Sequence, residues 1–376
     1  MAWLRVLLLL GSCSLAYTSD YAAPRYNISL DLPPEERWKP VIEQYNFTEL
    51  HQYMNNLLSV IKNHWSKHMY YIMADIYLDF IAHEPYAGEI RGIAKSLGLK
   101  TSEVTLINLF YETVMACTSI IAETEEGYIY HGRNMDLYIH TDLRKLRKLV
   151  IDVDFIRNGQ IVYTGTTFPG LVGLYTGQSP HKFTISANAR EDNHYLWKNA
   201  LSLLLQRYPV SWLIRNTLNN APDFDSAVEQ LSDTEITAEI YLTVAGTKPG
   251  EGVAITRDRD GLADTLNLNA SDGRWFLIQT NYDRGIPHPA HDNRMHFATQ
   301  AMNSTGQENI NKDSLYKVLS TFGVIKWATI HTTMMSAASP EDYLSFIRIA
   351  DETLKTTRIS GVYIVVKIAG VQYIFF

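Results

Sequence analysis

The 376-residue sequence predicts an α+β protein in which helices pack on antiparallel sheet, because the spacing of its apolar residues changes once along the chain. Between residues 47 and 116 these residues recur at helical intervals, as in Leu50, Met54, Leu57, Leu58 and Ile61. After Cys117 the period drops to two. Leu149, Ile151, Val153 and Phe155 alternate with polar residues, Asn158-Gly159 supplies a hairpin turn, and Ile161 and Tyr163 resume the pattern. Further strands read at 183–187, 239–244, 253–256 and 274–280, with helices near 196–206, 212–218, 224–231 and 312–321.

Taken in order, the chain opens with Arg5, an apolar run Val6–Leu10 and small residues closing on Ser14-Leu15-Ala16, which reads as a secretory signal peptide over residues 1–16. Residues 17–46, rich in Pro and Tyr, read as an extended wrapping segment. Helices follow at Phe47–Lys62 and Ser66–His83, the second interrupted by Pro85, and a third runs from an N-cap at Thr101 or Ser102 to Met115. The Ser66–His83 helix is apolar on most faces. Core burial is its first reading; contact with a lipid surface through Tyr70, Tyr71, Ile72, Met73 and Tyr77 is the second. At the C-terminus Ile359–Phe376 is apolar but carries Lys367, so Val362–Val366 reads as a strand before it reads as a membrane anchor.

Composition narrows the function. Hydrophobic residues at 46% and charged ones at 19% describe a globular protein, and a net charge of −7 provides no field to recruit nucleic acid. Four Asn-X-Ser/Thr sequons, at Asn27, Asn46, Asn269 and Asn303, agree with a lumenal route. His64 and His68 have the spacing of a helical metal pair but lack the zinc-motif glutamate, and read as solvent-facing; no metal is expected. Glycines 165, 170, 173 and 177 precede no phosphate-loop Lys-Ser/Thr, so no cofactor is expected either. The basic run Arg144–Lys148 reads as a solvated loop.

Once the signal peptide leaves with Cys13, Cys117 stands alone in an oxidising compartment, where cysteines ordinarily pair. It opens a strand-like run after a helix. A cut before it would free an α-amine of pKa about 7.7–8.0 beside its own thiol, able to take the thiol proton with no histidine. A turn at Glu125-Glu126-Gly127 and a returning strand would bring back Arg133, suited to an anionic sulfur, and Asp136, suited to hold the ammonium. An ordinary ion pair between Arg133 and Asp136 is the bland alternative.

Long collinear motifs resemble those of the acid ceramidase-like family of N-terminal-nucleophile cysteine hydrolases, and within it the N-acylethanolamine-hydrolysing branch. They include GEIRG at Gly88, CTSI at Cys117, HGRNMD at His131, NGQI at Asn158, VGLYTGQSPHKFT at Val172, PVSWLIR at Pro209, EGVAITRDRDG at Glu251 and QTNYD at Gln279. The resemblance implies an αββα sandwich of two antiparallel sheets between helical layers, with an all-helical N-terminal subunit. It divides the chain into the signal peptide 1–16, a subunit 17–116 released by self-cleavage at Ala116-Cys117, a hydrolase subunit 117–349 and an atypical tail 350–376. The implied activity is lysosomal hydrolysis of fatty-acid amides at a membrane or lipid surface by an α/β heterodimer. The alternatives are a ceramide hydrolase or a catalytically impaired lipid-binding paralogue. Carried over by position, Cys117 is the nucleophile, Arg133 and Asp136 orient it, Asn281 serves an oxyanion hole, Arg294 matches a basic position, and Tyr175 binds substrate. The chain departs from the family at Ala189, where a functional glutamate is expected. Glu191, two residues on, would lie roughly 7 Å away along a strand.

Overall fold

The computed structural model describes residues 20–58, 64–110, 115–138, 143–190, 202–203, 205–286, 289, 292–349, 364–368 and 371–375. Its strands are β1 (Tyr21–Ala22), β2 (Arg25–Ser29), β3 (Met115–Glu123), β4 (Ile129–Leu137), β5 (Ile151–Arg157), β6 (Gln160–Thr167), β7 (Thr176–Ser179) and β8 (Phe183–Ala189). They continue with β9 (Ile240–Ala245), β10 (Gly252–Arg257), β11 (Leu262–Asn267), β12 (Phe276–Gln279), β13 (Thr329–Met335), β14 (Leu344–Ile347), β15 (Ile364–Ile368) and β16 (Val371–Phe375).

Two sheets lie face to face. One runs β1-β14-β13-β4-β3-β12, the other β11-β10-β9-β8-β7-β6-β5-β2, and neighbours are antiparallel except β2 on β5. Helices α1 (Arg294–Thr305) and α2 (Lys312–Leu319) bury Ala298, Met302, Leu315, Val318 and Leu319 against Ile120 and Met334 on the outer face of the first sheet. The helices Val210–Asn220 and Phe224–Asp233, with the N-terminal helices, cover the second sheet. The αββα layering is therefore present. Between the sheets the packing is unusually polar: Ser119 donates to Asn188 at 2.7 Å, and His131 lies 2.8 Å from both Thr184 and Ser186.

Local chemistry explains the elements. Asn158 and Gly159 both take positive φ, 52° and 75°, as the two-residue β5–β6 turn demands. Phe47–Leu58 buries Leu50, Met54 and Leu58 on one stripe; the Leu57 side chain and Ile61 fall outside what is described. The helix His64–Phe80 splits the two readings. Ala74, Tyr77 and Leu78 are core, whereas Met69, Ile72, Ile76 and Phe80, at spacings of three and four, are exposed.

The N-terminal part is not all helical. Pro24 separates β1 and β2, which add an edge strand to each sheet, and Arg25 grips Asp154 of β5 with two bonds of 2.7 and 2.8 Å. Strands of two and five residues are too short for a period to betray them. The third helix ends at Phe110, and Met115 and Ala116 already belong to β3. The helix Tyr86–Leu97, within the stretch read as helical but not singled out there, carries a buried carboxylate, Glu89. Arg37 and Trp38 reach it from one side and Arg215 from the other, so it joins the segment before Cys117 to the segment after it. Gly92 in this helix has no room for a side chain, since a Cβ would lie 2.0 Å from the Glu35 carbonyl oxygen.

Arg144–Lys148 is not a simple solvated loop. Leu143–Arg147 is a short helix, and buried Arg147 donates to Trp327 O and Thr329 O. The signal peptide, residues 196–201 and 204 of the expected 196–206 helix and most of the tail lie outside the described residues; within the tail, β15 and β16 pair as a two-stranded antiparallel ladder.

Candidate active site

Cys117 enters on β3, paired across the ladder with Met135 of β4. Side chains alternate along a strand, so Cys117 and Ser119 face the inter-sheet space while Thr118 and Ile120 face the outer helices. The same rule acts on β4. Arg133 and Asp136 are an odd number of residues apart and therefore leave opposite faces. Gly132 and Asn134 mark the outer face, against Leu319.

Arg133 points inward. Its Nη2 donates to Cys117 Sγ at 2.9 Å and to Ala187 O at 2.8 Å, and its Nη1 donates to Thr176 Oγ1 at 2.5 Å. It is fully buried, Nε has no partner, and no carboxylate pairs with it among the described residues. A buried cation with only neutral partners favours any anion that forms beside it, and here that is the sulfur. In the intact chain burial pushes the Cys117 thiol up, the Arg133 and Arg294 charges pull it down, and the balance stays above the ordinary value. The thiol is thus protonated before any cut.

The backbone of Cys117 is held as firmly as its sulfur. Its N–H donates to Asn281 Oδ1 at 2.9 Å, and its carbonyl accepts from Arg294 Nη1 at 2.9 Å. Asn281 also accepts from Arg294 Nη2 at 2.7 Å and donates through Nδ2 to Ala189 O at 2.6 Å, which fixes which end of the amide is oxygen. In the intact chain Asn281 therefore presents its oxygen to the Cys117 nitrogen rather than an N–H to an oxyanion. Asp136, on the outer face, accepts from Thr329 Oγ1 at 2.6 Å and from Arg294 Nη1 at 3.1 Å. Burial raises its pKa despite Arg294 and Thr329.

The structure thus brings Cys117, Arg133, Asp136, Asn281 and Arg294 into one cluster. Tyr175 is buried one residue before the Thr176 that braces Arg133, and its carbonyl accepts from Ala187 N at 2.9 Å. Glu191 lies outside the described residues, while Ala189 ends β8 buried, supplying only its carbonyl to Asn281.

Sequence reasoning missed the polar layer that supports Asn281. Asn188 donates to Gln279 O at 2.7 Å and Thr280 O at 3.2 Å, so its oxygen must accept from Ser119; Ser119 accepts from Ser186, and Ser186 from His131 Nε2–H. Burial, then the Arg133 charge, hold His131 down to about 3 and His331 well below its usual value. Both imidazoles are therefore neutral in mild acid. Thr176 and Thr329 had no local signal, because they meet the site only through distant strands.

A cysteine near the start of a sheet strand, ringed by Arg133, Asn281 and Arg294 inside an αββα sandwich, defines an amide hydrolase of the N-terminal-nucleophile class. Comparison with known proteins agrees. The model of the beta subunit of N-acylethanolamine-hydrolyzing acid amidase matches residues 21–68, and that of the linear amide C-N hydrolases, choloylglycine hydrolase family, matches residues 117–296, starting at Cys117 itself. The rat N-acylethanolamine-hydrolyzing acid amidase is 44% identical over 346 residues, 92% of this chain and 94% of its own length. Mouse acid ceramidase is 34% identical over 83% of each chain. A solved structure of the Caenorhabditis elegans N-acylethanolamine-hydrolyzing acid amidase ortholog superposes with a TM-score of 0.57 at 36% identity, covering 62% of this chain and all of that one. The chain belongs to the N-acylethanolamine-hydrolyzing acid amidase family, with acid ceramidase as a more distant relative.

Proposed function

We propose that the protein cleaves itself between Ala116 and Cys117 and then hydrolyses N-acylethanolamines to a fatty acid and ethanolamine. The observation that carries this is the clamp on one residue: Arg133 on its sulfur, Asn281 on its nitrogen and Arg294 on its carbonyl. In the first stage the sulfur attacks the Ala116 carbonyl, the C–N bond breaks, and the freed nitrogen takes a proton. Water then hydrolyses the thioester, leaving Cys117 as a new N-terminus. In turnover this amine takes the thiol proton and the sulfur attacks the substrate carbonyl. The departing amine takes the proton, and water releases the acyl group and restores the thiol. Asn281 Oδ1 holds the ammonium form of the amine and Asp136 acts through Arg294, Arg133 favours the sulfur anion, and the second Nδ2–H of Asn281, the one not given to Ala189 O, is the donor for the developing oxyanion. Tyr175 lines the acyl side beside Thr176.

The same reading sets where the protein works. The exposed stripe Met69, Ile72, Ile76 and Phe80 suits contact with a lipid surface, where fatty amides reside, and among the described residues no helix is long and apolar enough to cross a membrane. Asn27, Asn46 and Asn303 are exposed and Asn269 half-buried, all accessible to glycosylation on a lumenal route to the lysosome. Asn46 caps the next helix through Oδ1, leaving its Nδ2 for a glycan. Residues 17–116 would remain docked as the partner subunit.

Incubating the purified chain at about pH 4.5 tests the reading. Two fragments meeting at 116/117 should appear, followed by release of ethanolamine from an N-acylethanolamine, and Cys117→Ala should abolish both. A chain that stays intact, or a Cys117→Ala variant that still hydrolyses the amide, refutes it. Faster release from a ceramide would reassign the substrate, and cleavage without turnover would leave the impaired paralogue.

A further inference from the structure

Arg294 opens helix α1, where the helix dipole disfavours a cation, and it is buried. A guanidinium offers five N–H donors in one plane, and all five are used. Three go to groups already described: the Cys117 carbonyl, Asp136 Oδ2 and Asn281 Oδ1. The other two form a fork on Asp292, Nε to Oδ1 at 2.8 Å and Nη2 to Oδ2 at 2.6 Å. Asp292 Oδ1 also accepts from the Arg294 backbone N–H at 3.1 Å, so the carboxylate is itself anchored to the helix start. A planar fork on one edge leaves the guanidinium no freedom to rotate, so the direction of its remaining donors is set by the carboxylate behind them.

We propose that Asp292, which touches neither sulfur nor scissile bond, is the positioning residue that orients Arg294 and through it the backbone and Asn281 around Cys117. The proposal rests on the functional reading above and adds a residue to it. Burial raises the Asp292 pKa, but hydrogen bonds and charge from Arg294 outweigh that and hold it below the ordinary carboxylate range. The charged groups facing it are Arg294 and, at longer range, Asp136 and Lys326. The carboxylate therefore stays charged, and the fork closed, at about pH 4.5.

The test is Asp292→Asn in the full chain, which keeps the side-chain size but loses one acceptor and the charge. Self-cleavage and kcat on an N-acylethanolamine should each fall about 100-fold, the cost of a misplacement near 1 Å, while KM changes less than about twofold. Asp292→Glu, which can rebuild the fork, should recover about tenfold of that loss. Wild-type rates in Asp292→Asn, a loss that merely tracks the unfolded fraction by circular dichroism, or an Asp292→Glu no better than Asp292→Asn would each overturn the proposal. An inert, uncleaved wild-type chain would instead defeat the functional reading and this inference with it, so the two failures are distinguishable.

Discussion

Asp152 should make the protein more stable in acid than at neutral pH. It is buried on β5, with Oδ1 accepting from Thr166 Oγ1 at 2.8 Å and Oδ2 from Ser345 N–H at 3.0 Å; Tyr343 and Arg25 are its other polar neighbours. Burial pushes its pKa from 3.8 to about 6, further than the bonds from Ser345 and Thr166 and the Arg25 charge pull it down. The folded-state value is raised, so the contribution is fully present below about 3.8 and is lost as pH rises through about 6. That difference corresponds to roughly 3 kcal/mol between the protonated and ionised forms. Asp152→Asn mimics the protonated state. Its carbonyl can accept from Ser345 N–H, and its amide can donate to Thr166 Oγ1, which has the Tyr343 and Ser345 hydroxyls as acceptors in turn. Urea unfolding of both forms, each also carrying Cys117→Ala so that the chain stays whole, should be compared at about pH 4.5 and 7.5. The variant should exceed its parent by only about 1 kcal/mol at about pH 4.5 and by roughly 3 kcal/mol at the higher pH. An equal pH dependence in both chains would refute the assignment.

Arg133→Met removes a buried cation without a carboxylate partner, so cleavage should be abolished while unfolding free energy holds or rises; a large destabilisation would show that the cation is compensated. Glu89→Ala leaves Arg215 buried and unpaired and should cost about 3–5 kcal/mol in denaturant unfolding. After cleavage the same variant should also release the N-terminal fragment on size-exclusion chromatography, and fragments that stay together would place the docking energy elsewhere. Ile76→Glu with Phe80→Glu should weaken binding to anionic lipid vesicles in a sedimentation assay without slowing self-cleavage; unchanged binding would remove that face from the lipid contact.

Much of this was legible in the residues. The change of period located the helical front and the sheets, Asn158-Gly159 located a turn, and Cys117 with HGRNMD located the centre of the polar cluster, because these signals are local. The fork on Arg294, the threonines at 176 and 329, and the pair Glu89–Arg215 are contacts between residues far apart in the chain, and no spacing announces them. β1 and β2 escaped for a related reason: edge strands of two and five residues are specified by the sheets they join.

Signals along the chain single out Cys117 as the proposed nucleophile, together with the charged side chains that stand near it in sequence. Long-range packing sets where each of them points. Strand alternation sends Arg133 to the sulfur and Asp136 to the opposite face, where Arg294 meets it. α1 packs beside β12, just past whose end lies Asn281, so Arg294 and Asn281 meet at the Cys117 backbone.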